Sequence, residues 1–208
     1  MEVLELNPQG LERIEHLLSF NEDWAYQVID FLKNFPAFRE FAHTTPFTQK
    51  PIGHGKLFGE PTEHDPETIT EYLLYYICHT QAYINFGNAL WRKIHRMTAT
   101  EIISDDSIPE KKKEIILSIL QREPFTTWEE VWQLDVKGVG LGAKYFIRTF
   151  FSDDYLDLTE VHFLKGVQIL TKSPFQPTSS EIKEMIESWG NYNKIAYLFC
   201  LSIYHFSL

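Results

Sequence analysis

Apolar residues recur at helical spacing along most of the chain. Leu11, Ile14, Leu17 and Leu18 share one face, and Trp24, Val28, Phe31 and Leu32 share another, which predicts helix over residues 8–35. Residues 43–67 break the pattern with four prolines, three glycines and three histidines, and predict a long loop. Helical spacing resumes near Pro66, running over 69–80 and again over 85–97. Ser107-Ile108-Pro109-Glu110 has capping-box spacing, with Ile115, Ile116, Ile119 and Leu120 as the apolar stripe behind it. Thr127-Trp128-Glu129-Glu130 repeats that signal ahead of Val131, Trp132 and Leu134. Further helices are expected over 141–151, from about Thr159, after Thr178-Ser179-Ser180-Glu181, and over 191–205. No segment alternates as a strand and no internal repeat appears, so the predicted fold class is all-α.

The segment Val131 to Arg148 joins two of these helical patterns through Gly138-Val139-Gly140, with Gly142 just beyond. A turn this tight between helices needs residues without a Cβ clash. The second helix begins with unpaired N–H groups and the positive end of its dipole, where a phosphate is favoured. A dinucleotide loop has Gly-x-Gly-x-x-Gly spacing and follows a strand, whereas these glycines follow a helix. Taken alone, the glycines fit a ligand-free helical corner equally well.

The residues around the turn add a resemblance. Ala143-Lys144-Tyr145-Phe146-Ile147-Arg148 resembles the second hairpin helix of the helix-hairpin-helix DNA glycosylases, the superfamily of endonuclease III and the 8-oxoguanine enzymes. Ile77-Cys78-His79-Thr80-Gln81-Ala82 resembles that family's Leu-Ser-x-Gln segment. Glu160-Val161-His162-Phe163-Leu164-Lys165, reached through the loop Ser152 to Leu158, is similar to its Asp-x-His-apolar pattern. Trp189 to Phe199 looks like the closing helix. The matches run in family order over roughly residues 68–205. The resemblance implies a two-lobed fold with a DNA cleft between the lobes. N- and C-terminal helices would form one lobe, and the middle helices with the hairpin (about 131–151) the other. Residues 68–208 would be the glycosylase-like core, with 1–67 a helical extension and loop packed on it. The implied activity is DNA base excision repair: a hydrolase that flips a damaged or mismatched base from duplex DNA and cleaves its N-glycosidic bond. Lys137, Gly138, Val139, Gly140 and Gly142 would hold the DNA backbone. Gln81 would fill the space left in the base stack. The family also implies a monovalent cation at the hairpin carbonyls, and no other cofactor.

The chain departs from the family at the chemistry. The usual catalytic carboxylate is Asp; the matching position is Glu160, with Asp157 as the alternate. Cleaving the glycosidic bond builds positive charge on the sugar, and a carboxylate stabilises it or orients the attacking water. A glutamate at a helix start also suits the dipole without any catalytic role. Bifunctional members carry a nucleophilic Lys in Gly-Val-Gly-x-Lys that forms a Schiff base. Read from Gly138, that slot is Gly142, Val136 and Val139 take the apolar positions, and water attacks. Read from Gly140, the slot is Lys144 and AP lyase activity follows. Gln81 equally suits a helix-end polar group. Two other readings stay open: a catalytically degenerate DNA-binding module of the same fold, and a different base-modifying enzyme.

Composition changes the picture in one respect. The formal net charge of −10 opposes a general attraction to DNA. Basic residues nevertheless cluster at Arg92, Lys93 and Arg96, at Lys111 to Lys113, and at Lys137, Lys144 and Arg148, so a local patch with few phosphate contacts and weak, salt-sensitive binding is expected. Most of the 5 Trp, 10 Tyr and 16 Phe fall at helical spacing and belong in a core. The two cysteines, Cys78 and Cys200, lie in apolar helical patterns, read as buried thiols, and are too few for an iron–sulfur cluster. His43, His54 and His64 lack cysteine support, and no His-x-x-x-His pair occurs, so no metal site is expected. Gly53-His54-Gly55-Lys56 lacks the Gly-Lys-Ser/Thr ending of a phosphate loop, and no nucleophile elbow is visible. No apolar run is long enough to span a bilayer. Met1 to Glu5 lacks the features of a secretory signal, which places the expectation inside the cell, with duplex DNA as partner, no membrane and no protein partner inferred.

Overall fold

The computed structural model describes residues 5–45, 66–152 and 155–206. Among them every regular element is helical: α1 (Pro8–Phe20), α2 (Glu22–Asn34), α3 (Ile69–His79), α4 (Ile84–Ile94) and α5 (Ala99–Ser104) come first. They are followed by α6 (Glu110–Leu120), α7 (Trp128–Gln133), α8 (Leu141–Phe151), α9 (Val161–Leu170), α10 (Ser179–Trp189) and α11 (Asn193–Phe206). Short 3-10 segments cover Pro36–Thr44 and Gly190–Tyr192. The chain is therefore all-α, and no described helix is long and apolar enough to cross a membrane. The described residues form two compact units: 5–45 with 156–206, and 66–152 with Tyr155. The first unit joins the N-terminal helices to the C-terminal ones; the second holds α3 to α8. Most of the loop expected over 43–67, with His54, His64 and Gly53 to Lys56, lies outside the described residues.

Local side chains set most helix ends. Reciprocal capping boxes start α7 at Thr127/Glu130 and α10 at Thr178/Glu181, as their spacing predicts. The same device starts α3 at Thr68/Glu71 and α5 at Thr98/Glu101. Two expectations are corrected. The single helix over 8–35 is interrupted at Asn21, whose N–H closes α1 on the Leu17 carbonyl at 2.7 Å while its side chain accepts the Trp24 N–H at 3.1 Å. One asparagine thus ends one helix and caps the next, at the point where the apolar stripe changes face. The box at Ser107/Glu110 does not form. Ser107 is drawn instead to Asp105, which accepts its N–H at 2.9 Å and its hydroxyl at 2.7 Å, and α6 starts from an uncapped Pro109.

In the first unit, α9 packs on α11 at van der Waals limits, and Phe163 stacks on Tyr197 with ring centroids 4.7 Å apart. Phe31, Phe38 and Phe199 form an aromatic knot, with centroids 4.7 to 5.7 Å apart, that joins α2, the Pro36–Thr44 segment and α11. In the second unit, α3 is the central element. Ile69, Thr70, Tyr72, Leu73, Leu74, Tyr75, Ile77 and Cys78 are all buried, so α3 is enclosed on most of its circumference by α4, α6 and α8. Both cysteines are buried unpaired thiols. Burial pushes the Cys78 thiol up to about 12 and that of Cys200 higher still.

The α9–α11 crossing makes a prediction. A Cβ on Gly166 would stand 1.8 Å from the Cys200 carbonyl oxygen, a backbone atom that cannot swing away. Helix propensity alone would make Gly166→Ala stabilising by about 1 kcal/mol. Overpacking should reverse the sign and cost about 1–3 kcal/mol net, read as a lower thermal midpoint by circular dichroism. A raised midpoint would mean that the two helices do not meet there.

Candidate nucleic-acid interface

The hairpin is built from the inside out. Val131, Leu134, Val136, Val139, Ala143 and Ile147 are buried and form its apolar floor. Val136 and Val139 thus occupy the two apolar positions of the turn, closed by a Val139 N–H bond to the Val136 carbonyl at 3.0 Å. Gly138 sits between them at φ +100, a left-handed conformation that only glycine adopts without strain. Gly140 is the N-cap of α8, and no side chain caps the helix. The leading N–H groups of α8 are therefore left for an external acceptor, at the positive end of an 11-residue helix. Lys137 is exposed beside this end and makes no ion pair or hydrogen bond among the described residues.

Two other basic residues expected at the hairpin are occupied by its packing. Lys144 donates to the Trp132 carbonyl at 2.8 Å, across the turn, and so ties α8 to the end of α7. Arg148 lies against three rings, its guanidinium carbon 4.3 Å from the Tyr155 centroid, 4.8 Å from Trp128 and 5.4 Å from Trp132. Such contacts hold a cation where no carboxylate does. Beneath the turn, a cavity of about 460 Å³ is lined by Lys111, Ile115, Arg122, Asp135 and Lys137, among others. Arg122 donates to the Asp135 carbonyl at 2.5 Å. A fixed positive charge already on that carbonyl does not suit a bound cation there.

Gln81 lies in the turn between α3 and α4. It is exposed and holds φ +54, the left-handed region. The neighbouring Tyr83 is 90% exposed. This turn is fixed from below by Lys112, which donates to the carbonyls of Ile77, Cys78 and Thr80 at 2.6, 2.9 and 2.9 Å. Burial lowers the pKa of Lys112, as expected for an ammonium withdrawn from water. The sequence places Lys112 in a basic patch for phosphate, which its three carbonyl bonds correct, and it does not single out Tyr83. A signal for Lys112 existed: it is in helical phase with the buried Ile116 and Ile119.

The carboxylates belong to the first unit. Glu160 is the N-cap of α9: Oε2 accepts the Phe163 N–H at 2.6 Å, and Oε1 lies 2.8 Å from Nδ1 of His162. His162 in turn stacks on Tyr204. Burial works to raise the Glu160 pKa, but the bonds from His162 and the Phe163 N–H outweigh it, so the net shift is downward. The Glu160 bond raises the pKa of His162 against the opposing effect of burial. The pair is a carboxylate held ionised in partly desolvated surroundings. Asp157 serves the preceding turn, where its carboxylate accepts the Thr159 hydroxyl at 2.7 Å and the Thr159 N–H at 3.1 Å. Among the described residues no three His, Cys, Asp or Glu side chains come together as a metal-binding group.

No family model matches this chain, and no curated protein or solved structure shows significant similarity to it.

The Glu160–His162 pair should shape stability against pH. Glu160, shifted down, contributes stability present above its ordinary value of 4.5 and lost as pH falls through its lowered folded value. His162, shifted up, contributes stability present below its ordinary value of 6.5 and lost as pH rises through its raised folded value. The pair's joint contribution is therefore greatest between those two ordinary values. Thermal melts from about pH 3 to about pH 9 should show Glu160→Gln narrowing the gap between the maximum and both flanks. An unchanged profile would mean that the pair is not formed in solution.

Proposed function

We propose that this chain binds duplex DNA through the hairpin at 131–151 and removes a damaged or mismatched base by hydrolysing its N-glycosidic bond. The observation that carries the reading is the hairpin: Gly138 at φ +100, Gly140 as a side-chain-free N-cap, and an uncapped α8 beside an exposed Lys137. An oxygen of a DNA phosphate fits that arrangement of N–H groups and charge. The turn at Gln81 adds an exposed amide that can fill a gap in the stack. Glu160 is the proposed catalytic carboxylate. Its anionic form, kept by His162 and the Phe163 N–H, suits the positive charge that develops on the sugar as the base departs. Water is the proposed nucleophile, since Lys144 is engaged at the Trp132 carbonyl.

One observation favours a second reading. Both oxygens of Glu160 already have partners within its own helix start, which is what a purely structural cap requires. On that reading the protein recognises DNA without cleaving it.

A base-release assay separates the two. Duplexes each carrying one lesion (8-oxoguanine, uracil, hypoxanthine, an alkylated purine or thymine glycol) are incubated with the protein, with and without borohydride. Excision should fall by roughly 100-fold or more in Glu160→Gln. Lys144→Gln should still release base, and neither form should leave a borohydride-trapped adduct. Duplex binding without release from any lesion would favour the non-cleaving reader.

Binding itself is tested through Lys137. Lys137→Gln should weaken binding to all duplexes alike and reduce the slope of log K against log salt by about 1. An unaltered slope would remove Lys137 from the interface.

A further inference from the structure

The first unit carries a groove that has no part in the reading above. It lies between the loop 171–178 and α10, holds about 570 Å³, and is lined by Phe175, Pro177, Glu181, Glu184, Met185 and Ser188, among others. Positions 181, 184, 185 and 188 recur at helical spacing and share one face of α10. Ile182 and Trp189 are buried on another face, where Trp189 meets Phe38 edge to face. The core thus takes one side of α10 and leaves the other to the groove.

The loop wall is ordered by its own bonds. The Thr171 hydroxyl donates to the Val167 carbonyl at 2.9 Å, Lys172 turns the chain at φ +52, and the Ser173 N–H reaches the Gln168 carbonyl at 3.1 Å. Ser173 Oγ then accepts the Phe175 N–H at 3.1 Å and donates to the Phe175 carbonyl at 2.9 Å. The Phe175 backbone is held on both sides, yet its ring is 77% exposed. An aromatic ring left in water forgoes the burial that normally stabilises it. With Pro177 and Met185 it gives the groove an apolar wall.

The charge in the groove has one sign. Among the described residues that line it, only Glu181 and Glu184 are charged. Bonds from the N–H and hydroxyl of Thr178, each 2.7 Å, lower the Glu181 pKa and keep that carboxylate ionised. Glu184 is exposed and makes no ion pair or hydrogen bond among the described residues. The cations nearest in sequence are turned elsewhere: Lys172 to Glu40 and Lys183 to Glu187.

We propose that this groove seats an arginine from a basic segment of a partner protein, its guanidinium at Glu184 and its stem along Phe175 and Met185. A guanidinium is suited to both walls, because its plane stacks on an aromatic face and its fork matches a carboxylate. Its stem buries against apolar side chains while the charged head stays wet. The sign of the groove repels a phosphate, and a second copy of a chain with net charge −10 is a poor occupant. The inference does not depend on the DNA reading.

The test uses the full chain and two fluorescein-labelled peptides, Ala-Arg-Leu-Arg-Ala and the same peptide with citrulline at both arginines, which keeps the planar group without its charge. Anisotropy reads affinity, and amide shifts in nuclear magnetic resonance read location. The arginine peptide should move resonances confined to 171–188, and the citrulline peptide should bind roughly tenfold more weakly or worse. Phe175→Ser and Glu184→Gln, both at exposed positions, should each weaken the arginine peptide by roughly fivefold or more. Glu12→Gln, which removes the same charge outside the groove, should leave affinity unaltered. Equal losses in Glu12→Gln and Glu184→Gln, or shifts scattered over the acidic surface, would reduce the effect to general attraction and overturn the proposal. So would an arginine peptide that does not bind at about 1 mM. Spermine that binds more tightly than the arginine peptide, moves the same resonances and ignores Phe175→Ser would make this a small-cation site, which also overturns the protein partner.

Discussion

A helix enclosed on most sides cannot leave its final carbonyls without donors, and the second unit is organised around that constraint. α3 ends at His79 with no glycine to close it, and its chain passes through Gln81 at φ +54 instead. The donors come from another helix. Lys112 reaches Ile77, Cys78 and Thr80 together, which a neutral side chain with one N–H or O–H could not do. This fixes the rotation of α6. With Lys112 directed at α3, Ile115 falls under Gly138, and Ile116 and Ile119 fall into the core with no exposure. A slip of one residue along α6 would turn each of these through about 100° and undo all of them together. The hairpin and the turn at 80–83 therefore share one foundation, although some 50 residues of chain separate them.

The first unit answers a different demand. Its helices meet through shape: Gly166 admits the Cys200 carbonyl, and Phe31, Phe38 and Phe199 pack ring against ring. Its polar interest lies at the start of α9. Asp, Asn, Ser and Thr are the usual N-caps because their short side chains reach the N–H of the third residue. Glu160 does this with one methylene more, and the added reach brings its other oxygen to His162. That explains how a partly buried carboxylate stays ionised. It also defines the tension in the proposed chemistry, because the groups that keep the charge are the groups that restrain it.

What the sequence made legible was local. Capping boxes at Thr127 and Thr178, the glycine turn and the span of α8 all depend on residues within a few positions of one another. Even the break at Asn21 had a local trace, in the change of apolar face between Leu18 and Trp24. Ser107 misled because two local signals competed, and the turn at Asp105 took the serine. Lys112 and Tyr83 were legible only in part: helical phase aligned Lys112 with the buried Ile116 and Ile119, but nothing local named its acceptors or the exposure of Tyr83. A lysine whose acceptors lie 32 to 35 residues away looks the same as a solvated one, and an exposed tyrosine looks the same as a buried one. Only the folded chain distinguishes them.

The same distinction resolves the charge problem. Counted in the sequence, the basic residues near the hairpin form a local patch that a net charge of −10 opposes. Counted by their partners, most are not available to phosphate. Lys112 holds α3, Lys113 is buried against the Ile103 carbonyl and Glu110, Lys144 holds Trp132, and Arg148 lies among aromatic rings. Lys111 and Lys137 remain exposed beside the turn. On the proposed DNA reading, a chain meeting phosphates with so few charges would gain little from counterion release. On that reading its affinity would come instead from the backbone N–H groups of α8 and from contacts that salt does not screen. An acidic chain that binds DNA in this way would discriminate by the state of the base stack more than by the density of phosphate. Intact DNA would then be a weak competitor, which is what a search for rare sites within a large excess of ordinary duplex requires.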